Sequence, residues 1–311
     1  MAATAVTIEA PRELSLRKLE LAPVGVDDVV VDIRWSGIST GTEKLLWNGE
    51  MPRFPGMGYP LVPGYESVGR ISDAGSGAQE RIGEWVFVPG AQCFRDARGV
   101  FGGTAEKVVL PSARAFPVTE SLGADGVLVA LAATAMHALS GERPPDLIVG
   151  HGTLGRLLAR LTIAMGAPAP TVWDNKAVRR SGARGYEVIA PSEDTRSDYR
   201  AIYDASGYAD GLDALIARLA KRGEIVLAGF YANRPSFAFP PAFMAEARLR
   251  VAAEWQPDDL ASTGQLIVDG KLDLTGLVSD IRPAGDAAKA YPTAFLDPGC
   301  LKMVLDWSHA Q

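Results

Sequence analysis

The strongest indication of this chain's fold is the glycine-rich segment Val149-Gly150-His151-Gly152-Thr153-Leu154-Gly155. It follows the short apolar run Asp146–Val149, which is typical of a buried strand. It also opens the run Leu154–Met165, whose apolar spacing predicts a helix. A G-x-G-x-x-G turn between a strand and a helix predicts a Rossmann-type unit that binds the diphosphate of a dinucleotide.

The residues of this turn have separate expected roles. Gly150 permits the tight turn, Gly152 lets the backbone approach the diphosphate, and Gly155 lets the helix pack closely on the strand. The helix N-terminus adds free N–H groups and the positive end of a dipole. The remaining members of the predicted cofactor loop are His151, Thr153 and Leu154. The alternative is a glycine-rich turn without a ligand.

Asp174 ends the next predicted strand, Pro170–Asp174, about 20 residues beyond the glycine pattern. A carboxylate at this place accepts hydrogen bonds from the adenosine ribose hydroxyls and repels a 2′-phosphate. Lys176 lies close by and weakens the argument slightly. We therefore expect NAD rather than NADP as the cofactor, while the alternative role of Asp174 is to cap a following helix.

Further strands and helices alternate around this unit. The predicted strands are Tyr186–Ile189, Ala201–Asp204, Glu224–Gly229 and Arg248–Trp255. Helices are expected at Leu122–Leu139 and at Asp210–Arg222, with Gly223 as the C-terminal stop of the second. This alternation predicts an α/β fold with a doubly wound parallel sheet over residues 126–270.

The residues before position 120 show a different sequence pattern. The β-branched runs Val29–Trp35, Glu84–Pro89 and Glu106–Pro111 are separated by Gly and Pro, which predicts a β-rich domain. Near the C-terminus, Leu301–Leu305 is expected to form a strand that returns to this first domain. We expect the first domain to comprise residues 1–125 and 271–311.

Composition excludes several classes of protein. The net charge of −6 does not suit nucleic acid, because neutralisation of phosphates by Lys and Arg dominates that affinity. The two cysteines, Cys93 and Cys300, cannot build a disulfide framework or a four-cysteine zinc lobe. The N-terminus lacks a signal-peptide pattern, and no uninterrupted apolar run reaches the roughly 20 residues of a membrane span. We expect a cytoplasmic protein, with contact to a membrane surface left open.

Four segments resemble motifs of the medium-chain dehydrogenase/reductase family: Ser36–Glu43, Pro63–Glu66, Gly102–Val109 and Ala133–Leu139. The resemblance implies a GroES-like catalytic domain built from both chain ends, a Rossmann domain between them, and an active site in the cleft. It also implies a homodimer through the edge of the Rossmann sheet. Glu66 is expected to pair with an arginine, and Glu43 to order its own loop.

The residues expected to hold the family's catalytic zinc are replaced here. The position of the first cysteine is Ser39 or Thr40, the histidine is Tyr65, and no cysteine lies near Leu131. Hydroxyl and phenol groups are poor zinc ligands compared with thiolate and imidazole. We therefore expect no metal. Thr42 is the first candidate for a proton relay, Tyr65 is a candidate acid/base or a filler of the metal position, and Ser39 is a weaker candidate.

The segment Gly37–Glu66 is similar to the branch of the family that oxidises the 3-(1-hydroxyethyl) group of bacteriochlorophyllides to 3-acetyl in bacteriochlorophyll biosynthesis, and so serves photosynthesis. The resemblance implies hydride transfer to NAD+ from a tetrapyrrole substrate. Two alternatives remain open. The first is a zinc-free NAD(P)H quinone or enone reductase of the same family, and the second is a non-catalytic dinucleotide-binding protein.

Candidate substrate contacts follow from the same comparison. An aromatic and methionine-rich stretch either forms an apolar wall for a flat macrocycle or packs on its own domain, and it contains Trp47, Met51, Phe54, Met57 and Tyr59. Arg53 is a candidate partner for a propionate carboxylate, and His137 is either a substrate contact or a core histidine. Further cofactor contacts are predicted at Ser206, Gly229 and Phe230, whereas no role is expected for His309.

Overall fold

The computed structural model describes residues 1–308, so the prediction for His309 lies outside the described residues. The chain divides into two compact units, Met1–Ala130 with Leu277–Gln311 (unit 1) and Leu131–Gly276 (unit 2). The sequence placed these boundaries after residues 125 and 270.

The elements follow in chain order. The strands are β1 Ala2–Ala10, β2 Glu13–Glu20, β3 Asp28–Ile38, β4 Leu61–Val62, β5 Ser67–Ala74, β6 Trp85–Val88, β7 Arg98–Gly99, β8 Lys107–Pro111, β9 Phe116–Pro117, β10 Leu147–Val149, β11 Thr171–Trp173, β12 Glu187–Ile189, β13 Tyr199–Asp204, β14 Leu219–Leu227, β15 Arg248–Val251, β16 Asp280–Pro283 and β17 Met303–Asp306. The α-helices are α1 Thr42–Asn48, α2 Val129–Leu139, α3 Thr153–Ala164, α4 Leu212–Ile216, α5 Phe239–Ala245, α6 Pro257–Val268 and α7 Ala287–Leu296. Short 3₁₀ helices lie at Gln79–Arg81, Ser112–Arg114, Glu120–Leu128, Ala177–Arg179, Ala209–Gly211 and Ala284–Asp286.

Unit 1 is the β-rich domain that the sequence predicted. A seven-stranded sheet has the order β16-β17-β3-β5-β6-β9, with β8 paired to β3, and a four-stranded sheet has the order β2-β1-β4-β7. Strand β17 pairs antiparallel with β3, which confirms the predicted return of the C-terminal segment. The core is built from apolar residues of these strands, and Val29, Val31 and Leu305, for example, are fully buried.

Unit 2 contains one parallel sheet of six strands in the order β12-β11-β10-β13-β14-β15. Counted within this unit, the order is 3-2-1-4-5-6, which is that of the Rossmann fold and confirms the predicted doubly wound sheet. The order reverses between β10 and β13. In such sheets, ligands bind at the carboxyl ends of the strands beside this reversal.

Several helical predictions were wrong. The expected helix Asp210–Arg222 is helical only to Ile216, because Leu219 already pairs with Tyr199 in the parallel sheet. Gly223 therefore lies inside β14 rather than at a helix end. No α-helix connects β11 to β12 or β12 to β13 within this fully described part of the chain.

The predicted helix Leu122–Leu139 is also interrupted. Its first part is the 3₁₀ helix Glu120–Leu128, where Gly123 has non-helical angles, and only its second part is α2. By length and composition alone, Glu120–Leu139 is long and apolar enough to cross a membrane. A stretch of this kind was not expected from the sequence. However, 61% of its apolar window is buried inside the protein, as in the core helix of a globular domain.

Candidate active site

Three hydroxyl groups meet at the end of β3. The Ser39 Oγ lies 2.5 Å from the Tyr65 OH, and the Tyr65 OH donates to the Thr42 Oγ1 at 3.3 Å. Ser39 follows the last residue of β3, Thr42 begins α1, and Tyr65 lies between β4 and β5. The structure thus brings the three predicted catalytic residues together into one hydroxyl cluster. Thr40, the other residue expected at the position of the first cysteine, is exposed.

A buried carboxyl group lies behind the hydroxyl cluster. Glu43 Oε1 accepts the backbone N–H of Ser39 at 3.0 Å, and Glu43 Oε2 accepts the Tyr291 hydroxyl at 2.9 Å. The first contact confirms that Glu43 orders its loop. Burial raises the pKa of Glu43 from 4.5 to about 8, and the nearby Glu66 adds to the rise, while the hydrogen bond from Ser39 opposes it.

Glu66 forms an ion pair, but not with the expected arginine. Its Oε2 accepts the Lys302 Nζ at 2.6 Å, and both side chains are almost completely buried. Lys302 Nζ also donates to the Ile38 carbonyl at 3.3 Å, next to Ser39. The prediction of an arginine was wrong because the C-terminal segment, 236 residues away in sequence, places a lysine there. The hydroxyl cluster therefore rests on two buried acids and one buried cation.

The environment of Tyr65 opposes ionisation of its phenol. Burial raises its pKa, and the Glu66 charge raises it further, while hydrogen bonds with Ser39 and Thr42 lower it only in part. No cation contacts the phenol oxygen among the hydrogen bonds of the described residues. The buried surroundings therefore keep the phenol of Tyr65 protonated.

An aromatic cavity borders the hydroxyl cluster. The ring of Phe101 meets the ring of Tyr65 edge-on, with centroids 5.0 Å apart and an interplanar angle of 69°. Phe101 also lines a cavity of about 160 Å³, together with Phe54, Gln92 and Arg114. Of the predicted substrate contacts, only Phe54 lies on this cavity.

The other predicted substrate residues lie elsewhere. Trp47 packs against Phe295 with ring centroids 5.5 Å apart, and Tyr59 donates its hydroxyl to the Leu46 carbonyl at 2.5 Å. Their surroundings favour packing of the segment on its own domain. Arg53 is exposed, and His137, in unit 2, binds Asp259 through its Nδ1 at 2.8 Å. Their roles in substrate binding stay predictions.

The glycine loop of unit 2 is built by its backbone. Gly150 has a φ of +95°, a conformation that favours glycine. A Cβ on Gly155 would lie 1.8 Å from the Gly150 carbonyl oxygen, so helix α3 approaches the loop as closely as the motif predicts. A Cβ on Gly152 would find its nearest neighbour, the Arg179 guanidinium, only at 3.7 Å. Thr153 begins α3 and Leu154 follows it. The loop thus leads directly into a helix N-terminus, the arrangement that can receive a diphosphate.

Asp174 and His151 hold this loop from behind. Asp174 accepts the His151 backbone N–H at 2.9 Å on Oδ2 and the Lys176 backbone N–H at 2.8 Å on Oδ1. The His151 imidazole is fully buried, with Nδ1 2.6 Å from the Arg179 carbonyl and Nε2 2.8 Å from the Tyr186 hydroxyl. Burial lowers the pKa of His151 to about 4, so the ring is neutral. The His151 side chain thus anchors the loop to its neighbours, and its contact with a cofactor stays a prediction.

The remaining predicted cofactor residues lie across the strand reversal from Gly150. A Cβ on Gly150 would lie 3.2 Å from the Ser206 Cα. Asp204 accepts the Ser206 N–H at 2.8 Å and the Tyr231 hydroxyl at 2.6 Å, which ties together the loops after β13 and β14. Gly229 and Phe230 follow β14, and Phe230 is 51% exposed.

Some residues of the site were missed by sequence reasoning. Tyr291 and Lys302 carry no local motif and reach the site only through the C-terminal strand and helix. Phe101 carries a signal that could have been noticed, since it immediately precedes the family-like segment that begins at Gly102.

Comparison with known proteins gives one family match and close relatives of nearly the same length. The alcohol dehydrogenase GroES-like domain family matches residues 25–120. Over 314 residues the chain is 57% identical to the 2-desacetyl-2-hydroxyethyl bacteriochlorophyllide A dehydrogenase of Cereibacter sphaeroides, and the match covers 99% of both proteins.

Solved structures with the same fold share less sequence. A short chain alcohol dehydrogenase of Escherichia coli CFT073, complexed with NADH, matches 98% of this chain and 99% of its own, with a TM-score of 0.83 and 20% identity. A protein of Sinorhizobium meliloti 1021 bound to NADP matches 99% of this chain and 100% of its own, with a TM-score of 0.81 and 21% identity. At these identities the likeness shows the fold, and the two neighbours carry different nicotinamide dinucleotides.

Proposed function

Because the chain belongs to the medium-chain dehydrogenase/reductase family, in the branch of the bacteriochlorophyllide A dehydrogenases, we propose that it oxidises the 3-(1-hydroxyethyl) group of a bacteriochlorophyllide to 3-acetyl. The observation that carries the proposal is the 57% identity over 99% of both proteins to an enzyme named for this substrate. The hydroxyl cluster of Ser39, Thr42 and Tyr65 supports it, since oxidation of an alcohol requires groups that bind the hydroxyl and remove its proton.

The hydroxyl cluster acts as a proton relay rather than as a strong base. Because burial and the Glu66 charge keep the phenol of Tyr65 neutral, this phenol gives a proton to one neighbour as it takes one from another. Ser39 and Thr42 are those neighbours, at 2.5 Å and 3.3 Å from the phenol oxygen. Thr42 is only half-buried, so the released proton leaves to solvent from that end of the chain of hydroxyls.

The glycine loop of unit 2 holds the oxidant in this proposal. A bound nicotinamide dinucleotide supplies a ring carbon that accepts the hydride of the carbinol carbon. The close approach of Gly155 to Gly150 and the open face of Gly152 fit a diphosphate against the start of α3. Asp174 supports NAD over NADP, because its carboxylate is fixed at the end of β11 and repels a 2′-phosphate.

We propose that the reaction proceeds without zinc. Two positions of the family's metal ligands carry hydroxyl groups, at Ser39 or Thr40 and at Tyr65, which bind zinc poorly, and the third, near Leu131, has no cysteine. The described residues, 1–308, contain no group of three or more His, Cys, Asp or Glu side chains arranged to hold a metal ion. Alcohol activation then depends on hydrogen bonds within the hydroxyl cluster.

The decisive experiment uses purified full-length protein with 3-(1-hydroxyethyl)bacteriochlorophyllide under anaerobic conditions. With NAD+, we expect the long-wavelength absorption band to move to that of the 3-acetyl product, with one NADH formed per acetyl group. A parallel reaction with NADP+ should be slower. A parallel reaction with NAD+ and a metal chelator should proceed at an unchanged rate.

Each arm can contradict one part of the proposal. Absence of product with either dinucleotide would overturn the assigned reaction. Faster turnover with NADP+ would overturn the role given to Asp174, and loss of activity on chelation that zinc restores would overturn the metal-free mechanism. Reduction of a quinone or enone with NADPH in place of pigment oxidation would favour the alternative reductase.

A further inference from the structure

Phe101 has a backbone conformation that bulky residues avoid. Its φ is +71°, in the left-handed region where a Cβ crowds the backbone, and glycine is the usual occupant there. The surrounding loop enforces this conformation, because the Ala91 N–H donates to the Phe101 carbonyl at 2.6 Å. Strained residues of this kind cluster at functional sites, where the side chain is needed despite its cost.

Phe101 is shared by the surroundings of the hydroxyl cluster and the aromatic cavity. The centroid of its ring lies 5.0 Å from that of Tyr65, and its side chain lines the cavity of about 160 Å³. Phe54 lines the same cavity, and Phe101 and Phe54 are 36% and 40% exposed, respectively. Two aromatic side chains are thus available to a ligand directly beside the proposed proton relay.

The same cavity has one positive side chain. Arg114 ends the 3₁₀ helix Ser112–Arg114 and lines the cavity. Within residues 1–308 its guanidinium has no hydrogen-bond or ion-pair partner, so it is free to bind an anion. A guanidinium binds a carboxylate through two parallel hydrogen bonds. Arg53, the residue expected for this role from the sequence, does not line the cavity.

We propose that Phe54, Phe101 and Arg114 form a substrate subsite for a flat aromatic ring system that bears a carboxylate. The proposal rests on the proposed function, in which the substrate is a tetrapyrrole acid. The cavity is smaller than the roughly 300 Å³ at which pockets begin to enclose a drug-sized molecule. It therefore receives an edge of the macrocycle while the ring face stacks on Phe101, and Arg114 binds the propionate.

The first test separates strain from function at Phe101. Phe101→Gly removes both the ring and the strain, whereas Phe101→Ala removes the ring and keeps the strain. We expect the Gly variant to melt about 2 °C above the Ala variant. Both variants should bind the pigment about tenfold more weakly, as measured by quenching of pigment fluorescence without dinucleotide. Their KM should rise by a similar factor, while kcat changes less than threefold.

Glu254→Gly in unit 2 is the matched control for relief of strain. Glu254 has a φ of +60° and is exposed, so this variant should gain stability without any change in pigment affinity. If Phe101→Gly bound pigment as tightly as the native protein, Phe101 would have no part in substrate binding and the subsite would be refuted.

The second test identifies the carboxylate partner. Arg114→Gln and Arg53→Gln are compared with the free pigment acid and with its propionate methyl ester. We expect the native protein and Arg53→Gln to prefer the acid about tenfold, and Arg114→Gln to bind acid and ester equally. Loss of this preference in Arg53→Gln alone would overturn the assignment of Arg114.

Failure of the subsite and failure of the proposed function give different results. If the native protein oxidises the pigment while the Phe101 and Arg114 variants bind it normally, the subsite is refuted and the proposed function is supported. If the native protein neither binds nor oxidises the pigment, both proposals are refuted.

Discussion

The two functional regions of this molecule are made from different parts of the polypeptide. In unit 2 the glycine loop is built from backbone, and its shape depends on the close contact of Gly155 with the Gly150 carbonyl. In unit 1 the hydroxyl cluster is built from side chains that rest on the buried ion pair of Glu66 with Lys302 and on the buried carboxyl group of Glu43. We therefore expect steric changes to damage the first region, and changes of charge and protonation to damage the second.

The largest effect is expected from breaking the buried ion pair. Lys302→Met leaves the Glu66 carboxylate buried without a counter-charge, so the free energy of unfolding should fall by about 3–5 kcal/mol. Denaturant unfolding at neutral pH measures this loss. In the double variant with Glu66→Gln, most of the stability should return, because no uncompensated charge remains. If Lys302→Met alone were as stable as the native protein, the buried ion pair would not stabilise the fold.

The next effect concerns the proton relay. Tyr65→Phe removes the hydroxyl that joins Ser39 to Thr42, so kcat for pigment oxidation should fall about 100-fold. Thr42→Val shortens the relay at its solvent end and should cause a smaller loss. Steady-state kinetics measure both losses, and circular dichroism checks that each variant is folded. If both variants kept native turnover, the hydroxyl cluster would not be the relay.

A steric change should affect the glycine loop. Gly155→Ala places a Cβ 1.8 Å from the Gly150 carbonyl oxygen, which should cost about 1–3 kcal/mol of stability. Gly152→Ala is the matched control, because its Cβ has space within the protein but lies where the diphosphate would approach. We expect calorimetry to show weaker dinucleotide binding in both variants and thermal melts to show instability only in Gly155→Ala. Equal stability of the two would contradict the close packing of α3.

The smallest effect, for a change of one pH unit, is a pH dependence of stability. Because the pKa of Glu43 is about 8 in the folded protein and near 4.5 when unfolded, the folded state holds a proton that the unfolded state has lost between these values. Its stabilising effect is complete below pH 4.5 and is lost as the pH rises toward 8.

Glu43→Gln removes this titration, so the free energy of unfolding should fall less steeply with pH in that window, by at most about 1.4 kcal/mol per pH unit. Denaturant titrations at a series of pH values measure the slope. The exposed Glu20→Gln is a control that should leave it unchanged. An identical slope in native protein and Glu43→Gln would show that Glu43 does not hold a proton at neutral pH.

Local motifs allowed much of the fold, the glycine loop and the three residues of the hydroxyl cluster to be predicted, but not the buried residues that support this cluster. The glycine spacing and the alternation of strands gave the parallel sheet, since both signals lie within short windows of sequence. The helix expected at Asp210–Arg222 failed because sheet pairing at Leu219 overrides its local helix preference. Lys302 was not predictable as the partner of Glu66, because only the tertiary fold brings together residues that are 236 positions apart.

Arg156 joins two fully described segments of unit 2 that have no backbone ladder between them. Its buried guanidinium donates to the carbonyl oxygens of Arg179, Ser181 and Gly182, in the connection from β11 to β12 that lacks an α-helix, and to the His151 carbonyl in the glycine loop. A connection without an α-helix leaves carbonyl groups that a helix would satisfy from its own backbone. One cationic side chain therefore does the work of many peptide groups, and its loss should release the β11–β12 connection from the glycine loop.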